Sequence, residues 1–391
     1  MARRIGMEVS IAVAEAAGLA DVDVVAAYPI TPQTHIVEHL AEMVAGGRLD
    51  AEFVPVESEH SAMSVCIGSS AAGARTFTST SSQGLALMNE VVFIAASLRL
   101  PTVMAAVNRS LSGPLSIWND HSDAMSVRDC GWIQIFVENG QEAFDHVLIG
   151  FRIGEDRRVL MPVMIHIDGF ILSHMIEPVE MVSEELVREY LPPFQPIHRL
   201  HPDQPVTMGA FAMPELFTEA KKAQDEALRG AMPVIHQGWE EWARLTGRSY
   251  RPVETYRTEG AEVLLLTMGA LGETATEAVD RMREKGQAVG AVKLRLWRPF
   301  PFGSFREAVS GARLLVVFDR AISFGGPGGP VSAEVRAALY GEPRRPKVVN
   351  FIGGLAGRDV SPEDFEKMVD LARGKAEEDR QEAYEMYGVR A

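Results

Sequence analysis

At 391 residues the chain is too long for one ordinary core and implies two or three domains. Its net charge of −15 argues against nucleic acid and anionic membrane as partners, because both demand basic surface. The two cysteines, Cys66 and Cys130, stand far apart with no C-x-x-C, so the chain by itself is expected to hold neither an iron–sulfur cluster nor a cysteine-built zinc site.

Residues 1–6 lead into Glu8 and not into an apolar run. No later run is long enough to span a bilayer, so a cytoplasmic location is expected. Residues 6–19 are Ala-rich with helical spacing and predict a first helix, followed by a short apolar strand over 22–27. Next comes Tyr28-Pro29-Ile30-Thr31-Pro32-Gln33-Thr34, and then a helical pattern over 35–45 that Gly46-Gly47 stops. The two prolines fix φ and bias the residues before them toward extended geometry. Thr31 therefore reads as an N-cap with Pro32 at the first helical position. Its hydroxyl would sit where free N–H groups and the helix dipole favour a small carboxylate. A cap with no other role would explain Thr31 taken alone.

The strand–helix rhythm then repeats. Strands are expected over 52–56, 76–79, 102–107, 133–137 and 163–167, and helices over 59–72, 85–98 and 141–153, with Ser58 as a cap. Such alternation indicates an α/β fold with a parallel sheet covered on both faces. A Pro-rich connector follows from about residue 186, with helical stretches over 215–228 and 238–246. Its length suggests that it packs along a neighbour. A second series begins near 260, with strands over 263–267, 289–296 and 314–319 and helices over 272–285 and 331–340. The tail over 374–391 is charged with helical spacing. The expected division is thus 1–185, a connector over 186–259, and 260–391.

Thr31, Glu59, the 78–84 loop, Arg109 and Asp168 each fall just past the C-terminal end of an expected strand. In an open parallel sheet ligands bind along that edge, so these residues should converge on one crevice. Each also has a plainer explanation: Glu59 as a first-turn acid, Arg109 as an ion-pair partner, Ser81-Ser82-Gln83 as a polar loop. Other searches fail. There is no P-loop, no G-x-G-x-x-G behind a strand and no G-x-S-x-G. Gly269-Ala270-Leu271-Gly272 is better explained by helix–sheet packing, His60 lacks a second His for a metal, and His121, between Asp120 and Asp123, reads as structurally hydrogen-bonded. No metal site is expected on the chain.

Taken together, Tyr28-Pro-Ile-Thr-Pro32, Glu57-Ser-Glu-His-Ser-Ala62, Ser81-Ser-Gln-Gly84, Asn108-Arg109-Ser110, Asp120-His-Ser-Asp123, Asp168-Gly-Phe170 and Lys293-Leu-Arg-Leu-Trp-Arg-Pro-Phe300 resemble the α subunit of 2-oxoacid:ferredoxin oxidoreductases, the pyruvate enzyme above all. The match runs nearly end to end. The resemblance implies a thiamine diphosphate-binding, pyrimidine-half domain over 1–185 and a transketolase C-terminal-like domain over 260–391. It also implies that a β subunit carries the diphosphate and Mg2+, and that [4Fe–4S] clusters lie on the β and ferredoxin-like δ chains, alongside a γ subunit. Ile167-Asp168-Gly169 lacks the first Gly of the diphosphate motif and has no Asn where one is needed, so this chain would be half of an active site.

Carried over by position, Glu59 corresponds to the acid that hydrogen-bonds the cofactor aminopyrimidine, with Glu57 the competing alignment. Thr31 corresponds to a substrate-contacting hydroxyl and Arg109 to the partner of the substrate carboxylate. Tyr28, Pro29, Ser82 and Gln83 would line the cofactor, and Ile117, within Leu115-Ser-Ile-Trp118, the substrate pocket. The implied reaction is oxidative decarboxylation of a 2-oxoacid with coenzyme A to an acyl-CoA, CO2 and reduced ferredoxin. A branched-chain or aromatic 2-oxoacid, a transketolase-like ketol transfer and a non-catalytic assembly subunit stand as alternatives.

Overall fold

The computed structural model describes residues 3–378 and 384–390. The chain opens with strand β1 (Arg3–Glu8) and continues through β2 (Val24–Ala27), β3 (Glu52–Pro55), β4 (Thr76–Thr80), β5 (Val103–Asn108), β6 (Ile133–Phe136), β7 (Val163–Asp168) and β8 (Ile176–Met181). β2 to β7 run parallel in one sheet, in the order β6-β7-β5-β4-β2-β3. Every residue of β4, β5, β6 and β7 is buried, as a sheet covered by helices on both faces requires. From β2 the chain moves outward to the edge strand β3 and then crosses back to form β4 on the other side of β2. The reversal opens a crevice at the C-terminal ends of β2 and β4.

A second sheet is built from β9 (Val253–Tyr256), β10 (Val263–Thr267), β11 (Val289–Leu294), β13 (Leu314–Asp319), β14 (Lys347–Ile352) and β15 (Glu385–Met386). Its order is β15-β14-β13-β10-β11-β9, with only β9 antiparallel, so it has its own reversal between β10 and β13. The intervening β12 (Leu296–Arg298) leaves this sheet and pairs antiparallel with β6, closing the edge of the first sheet. One core of the second sheet takes in Phe136 of β6 and Ala124 of the short helix Ser122–Ser126 that precedes it. Each apolar side chain fully buried in such a core contributes about 1.5–3 kcal/mol.

Several expectations are corrected. Residues 3–8 form β1, paired antiparallel with β8, and the helix begins only at Val9. The expected helix over 85–98 is two helices, Ser82–Leu87 and Asn89–Ser97, meeting at Met88. The single strand over 289–296 is divided between two sheets. Over the tail, helix Pro362–Glu377 covers the first residues, Glu385–Met386 is a strand beside β14, and residues 379–383 and 391 lie outside the described residues.

Thr31 is not a cap. The helix starts at Thr34, and its N-cap Gln33 has helical backbone angles and no side-chain cap bond. The Gln33 amide instead donates to Tyr28 O at 2.7 Å and accepts from Ser79 Oγ at 3.2 Å, so it ties the Pro-Ile-Thr-Pro turn to β4. Within the connector, helix Met232–Thr246 buries Trp239 and Trp242, and Trp239 Nε1 donates to His146 of helix Gly140–Gly154 at 3.2 Å. Helix Pro214–Gly230 buries none of its residues.

Candidate active site

Ser58 has extended backbone and accepts from Ser61 N at 3.3 Å, which starts helix Glu59–Ala72 just beyond β3. Glu59, in the first turn, is 6% exposed, and no hydrogen bond reaches its carboxyl among the described residues. A Cβ placed on Gly84 would lie 2.7 Å from Glu59 Oε1 and 2.4 Å from Thr80 Oγ1, so only glycine fits there. Thr80 Oγ1 is itself buried with no partner among the described residues. A buried carboxyl and a buried hydroxyl thus lie close together against Gly84 with no protein partner among the described residues, which natural interiors rarely tolerate unless a ligand or water completes them. Glu57, by contrast, is exposed and accepts from Ser61 Oγ at 2.5 Å, a bond that lowers its pKa.

Beyond β4, Ser82 is fully buried at positive φ and donates through Oγ to Ser110 O at 2.6 Å, and Gln83 bonds Ser112. The ends of β4 and β5 are held together by Asp123. Its carboxylate accepts from Ser82 N at 2.9 Å, Arg109 N at 3.0 Å, Asn108 Nδ2 at 3.0 Å and Ala124 N at 2.7 Å. Burial pushes Asp123 up to about 7 against these N–H donors, and nearby Asp120 adds to the rise. Asp123 had no role in the sequence reading beyond its place in a motif. Two of its partners are backbone N–H groups just past the ends of β4 and β5, at Ser82 and Arg109, which leave no local signal.

Arg109 is 7% exposed. Its Nε donates to Ser116 O and its Nη1 to Thr31 O, both at 2.9 Å, and Nη2 has no partner among the described residues. Burial lowers its pKa while Asp123 opposes the shift. Thr31 and Arg109 are thus in direct contact, and Tyr28, Pro29 and Ile117 are exposed near them in the chain. Trp118, beside Ile117, packs on Phe170 with ring centroids 4.7 Å apart.

Asp168 departs from expectation: it serves the seam between the sheets. It accepts from His121 Nε2 and Asn119 Nδ2 at 2.9 Å, and from Arg320 Nη1 and Ala270 N at 2.7 Å. Burial alone would raise its pKa, but Arg320 and His121 hold it well below the carboxylate range. Gly269, at φ +75, has no room for a Cβ because Asp168 Oδ2 would lie 2.5 Å from it. His121 is hydrogen-bonded as the sequence suggested. The Lys293–Phe300 segment serves the same seam, with Lys293 on Glu138 and Arg295 on Glu142, both at 2.6 Å. Glu8, His35 and His174 offer ligand atoms within 4.8 Å of one another, but Glu8 and His35 already bond each other at 2.7 Å and His174 bonds Ser173 at 2.8 Å.

Residues 15–237 match the family described as pyruvate flavodoxin/ferredoxin oxidoreductase, thiamine diphosphate-binding, and residues 261–365 match pyruvate:ferredoxin oxidoreductase core domain II. A pyruvate synthase subunit PorA from Methanothermobacter thermautotrophicus is 50% identical over 92% of each chain. A ketoisovalerate oxidoreductase subunit VorA from Pyrococcus furiosus is 45% identical over 92% of this chain and 91% of its own. Among solved structures, a 2-oxoglutarate:ferredoxin oxidoreductase from Magnetococcus marinus superposes with a TM-score of 0.68 at 21% identity, covering 94% of this chain and 65% of that one. A split-gene transketolase superposes at 0.54 and 13% identity, over 94% of this chain and 98% of its own, and these two likenesses bear on fold alone. With one family model over more than half its length and a relative of 50% identity over nearly all of it, the chain belongs to the pyruvate flavodoxin/ferredoxin oxidoreductase family.

Proposed function

We propose that this chain is the α subunit of a multi-subunit pyruvate:ferredoxin oxidoreductase and contributes the aminopyrimidine side of a shared thiamine diphosphate site. The observation that carries the reading is Glu59, a buried carboxyl that no hydrogen bond reaches among the described residues, close beside Gly84 to the Thr80 hydroxyl, which likewise has no partner there. A hydrogen-bonding heterocycle would satisfy both groups. When bound, thiamine diphosphate would supply a carbon nucleophile and an electron sink for decarboxylation of a 2-oxoacid.

The chain's own residues bind, orient and hold a proton. Glu59, buried where Glu57 is exposed, donates or accepts a proton at a ring nitrogen. Arg109, with Nε and Nη1 already anchored, offers Nη2 to the substrate carboxylate. Thr31 contributes its hydroxyl beside that guanidinium, and Ile117 an apolar wall. Ser82, Gln83, Tyr28 and Pro29 border the cofactor.

We further assign Mg2+ to a partner β chain and the [4Fe–4S] clusters to the β and ferredoxin-like δ chains, with a γ chain as a further subunit and coenzyme A and ferredoxin as co-substrates. We keep domain boundaries near 185 and 260 and a cytoplasmic location. No helix among the described residues is long and apolar enough to cross a membrane. A branched-chain 2-oxoacid is the second reading, favoured by the 45% identity to the ketoisovalerate relative. Titration calorimetry tests the half-site directly: the isolated chain should bind thiamine diphosphate with Mg2+ very weakly, and micromolar binding would refute a shared site.

A further inference from the structure

The 354–357 turn of the second sheet reaches the loop that anchors Arg109. Gly354, Ala356 and Gly357 all have left-handed backbone, at φ +63, +51 and +72. For Ala356 that conformation is strained, and such strain persists only where surrounding contacts enforce it. The contacts are specific. Gly357 N donates to Asn119 O at 2.7 Å, and Ala356 N donates to Asp120 Oδ2 at 3.3 Å. A Cβ on Gly357 would lie 2.8 Å from Trp118 Cβ, so the two backbones meet as closely as glycine allows.

The loop so held is the one that fixes the guanidinium. Trp118 O accepts from Ser110 N at 3.0 Å and from Ser110 Oγ at 3.1 Å, and Ser116 O accepts from Arg109 Nε at 2.9 Å. Asn119 also donates to Asp168, and His121 N to Arg320 O at 2.8 Å, so every residue from Trp118 to His121 touches the seam or the loop's own root. Among the described residues, 111–117 make no comparable hydrogen bond to the second sheet, and Leu115 and Ile117 are exposed.

We propose that the Ala356–Gly357 turn is a positioning element for substrate recognition: the second sheet sets the 110–121 loop, and through Ser116 O the direction of Arg109. Resting on Arg109 as the carboxylate clamp, it gives the second sheet a part in choosing the 2-oxoacid. Gly357 and Ala356 act through the loop and touch no substrate.

The test is steady-state kinetics of the assembled complex with pyruvate. Gly357→Ala should raise KM about 5- to 20-fold with kcat changed less than about threefold, because a shifted clamp weakens binding more than chemistry. Asp120→Asn keeps the Oδ1 bonds to Ser122 and loses the bond to Ala356, and should raise KM about 2- to 5-fold even if Gly357→Ala fails to fold. Val348→Ala, a cavity in β14, should lower the melting temperature and leave KM unchanged. Both routes run through one guanidinium, so Gly357→Ala with Arg109→Lys should fall no more than about threefold below Arg109→Lys alone in kcat/KM. Unchanged KM in both Gly357→Ala and Asp120→Asn, or full additivity in the double variant, overturns the proposal. If Arg109→Lys itself has no effect, the clamp reading fails and this inference with it. If Arg109→Lys is impaired while Gly357→Ala and Asp120→Asn are normal, only this inference fails.

Discussion

The two sheets carry the same topological reversal and use it in opposite ways. At the β2/β4 reversal Glu59, Thr80 Oγ1 and Arg109 Nη2 have no hydrogen-bond partner among the described residues. At the β10/β13 reversal the crevice is already filled: Asp168, from the end of β7, accepts from Ala270 N at the start of helix Leu271–Glu284 and from Arg320 just past β13. A helix start and a guanidinium that could bind a free carboxylate instead bind one from the same chain. Strand order therefore creates a binding site, and the satisfaction of its polar groups decides whether the occupant is a ligand or the protein itself.

The largest effect is expected at the filled crevice. Asp168→Ala leaves Arg320 and His121 buried beside each other without their carboxylate and should cost about 3–5 kcal/mol, read by chemical denaturation. Because the folded-state pKa of Asp168 is depressed, its stabilising contribution is present above the unfolded carboxylate value of about 3.9 and is lost as pH falls below it toward the depressed folded value. The wild-type chain should lose that stability on acidification, and the variant should show a flatter profile below about pH 4.

A smaller effect is expected at the open crevice. Arg109→Lys keeps the charge but loses the planar fork anchored on Ser116 and Thr31, and a charged hydrogen bond is worth about 1.5–3 kcal/mol. The assembled complex should lose about 10- to 150-fold in kcat/KM for its 2-oxoacid, with the melting temperature little changed. A loss within twofold would make Arg109 a structural ion and erase the contrast between the crevices.

The smallest change is expected at Thr31. Its side chain is exposed and caps no helix, so Thr31→Val should shift stability by less than about 0.5 kcal/mol while still raising KM if the hydroxyl meets substrate. A large drop in melting temperature would restore the capping role that the sequence suggested.

What could be read from the sequence follows from where each signal resides. Strands 263–267 and 314–319 fall where their unbroken apolar runs predict, because both faces of a parallel sheet are buried. The places of Glu59 and Arg109, just past β3 and β5, were legible because the end of a parallel strand is a position that local pattern can find. The β1–β8 pair was not: its ladder joins Arg3 to Met181, and half-polar strands of that kind carry no local mark of their partner. Thr31 misled because Ser/Thr before proline resembles a cap, whereas here the Gln33 side chain bonds backward to Tyr28 and the helix starts three residues later. Asp123 and Asp168 occur in recognisable motifs, yet which sheet each one serves depends on tertiary placement alone.

The most direct test of the open crevice compares Glu59→Gln with Glu57→Gln in the assembled complex, following exchange of the cofactor C2 proton by NMR in the absence of substrate. Loss of a positioned proton donor typically costs about 10²- to 10⁴-fold, so Glu59→Gln should slow exchange and turnover together by that order while cofactor and subunits remain bound. Glu57→Gln, altering an exposed side chain bonded to Ser61, should exchange at the parent rate. Parent-rate exchange in Glu59→Gln would contradict the reading of this crevice as the cofactor's acid site and return Glu59 to a helix-start acid.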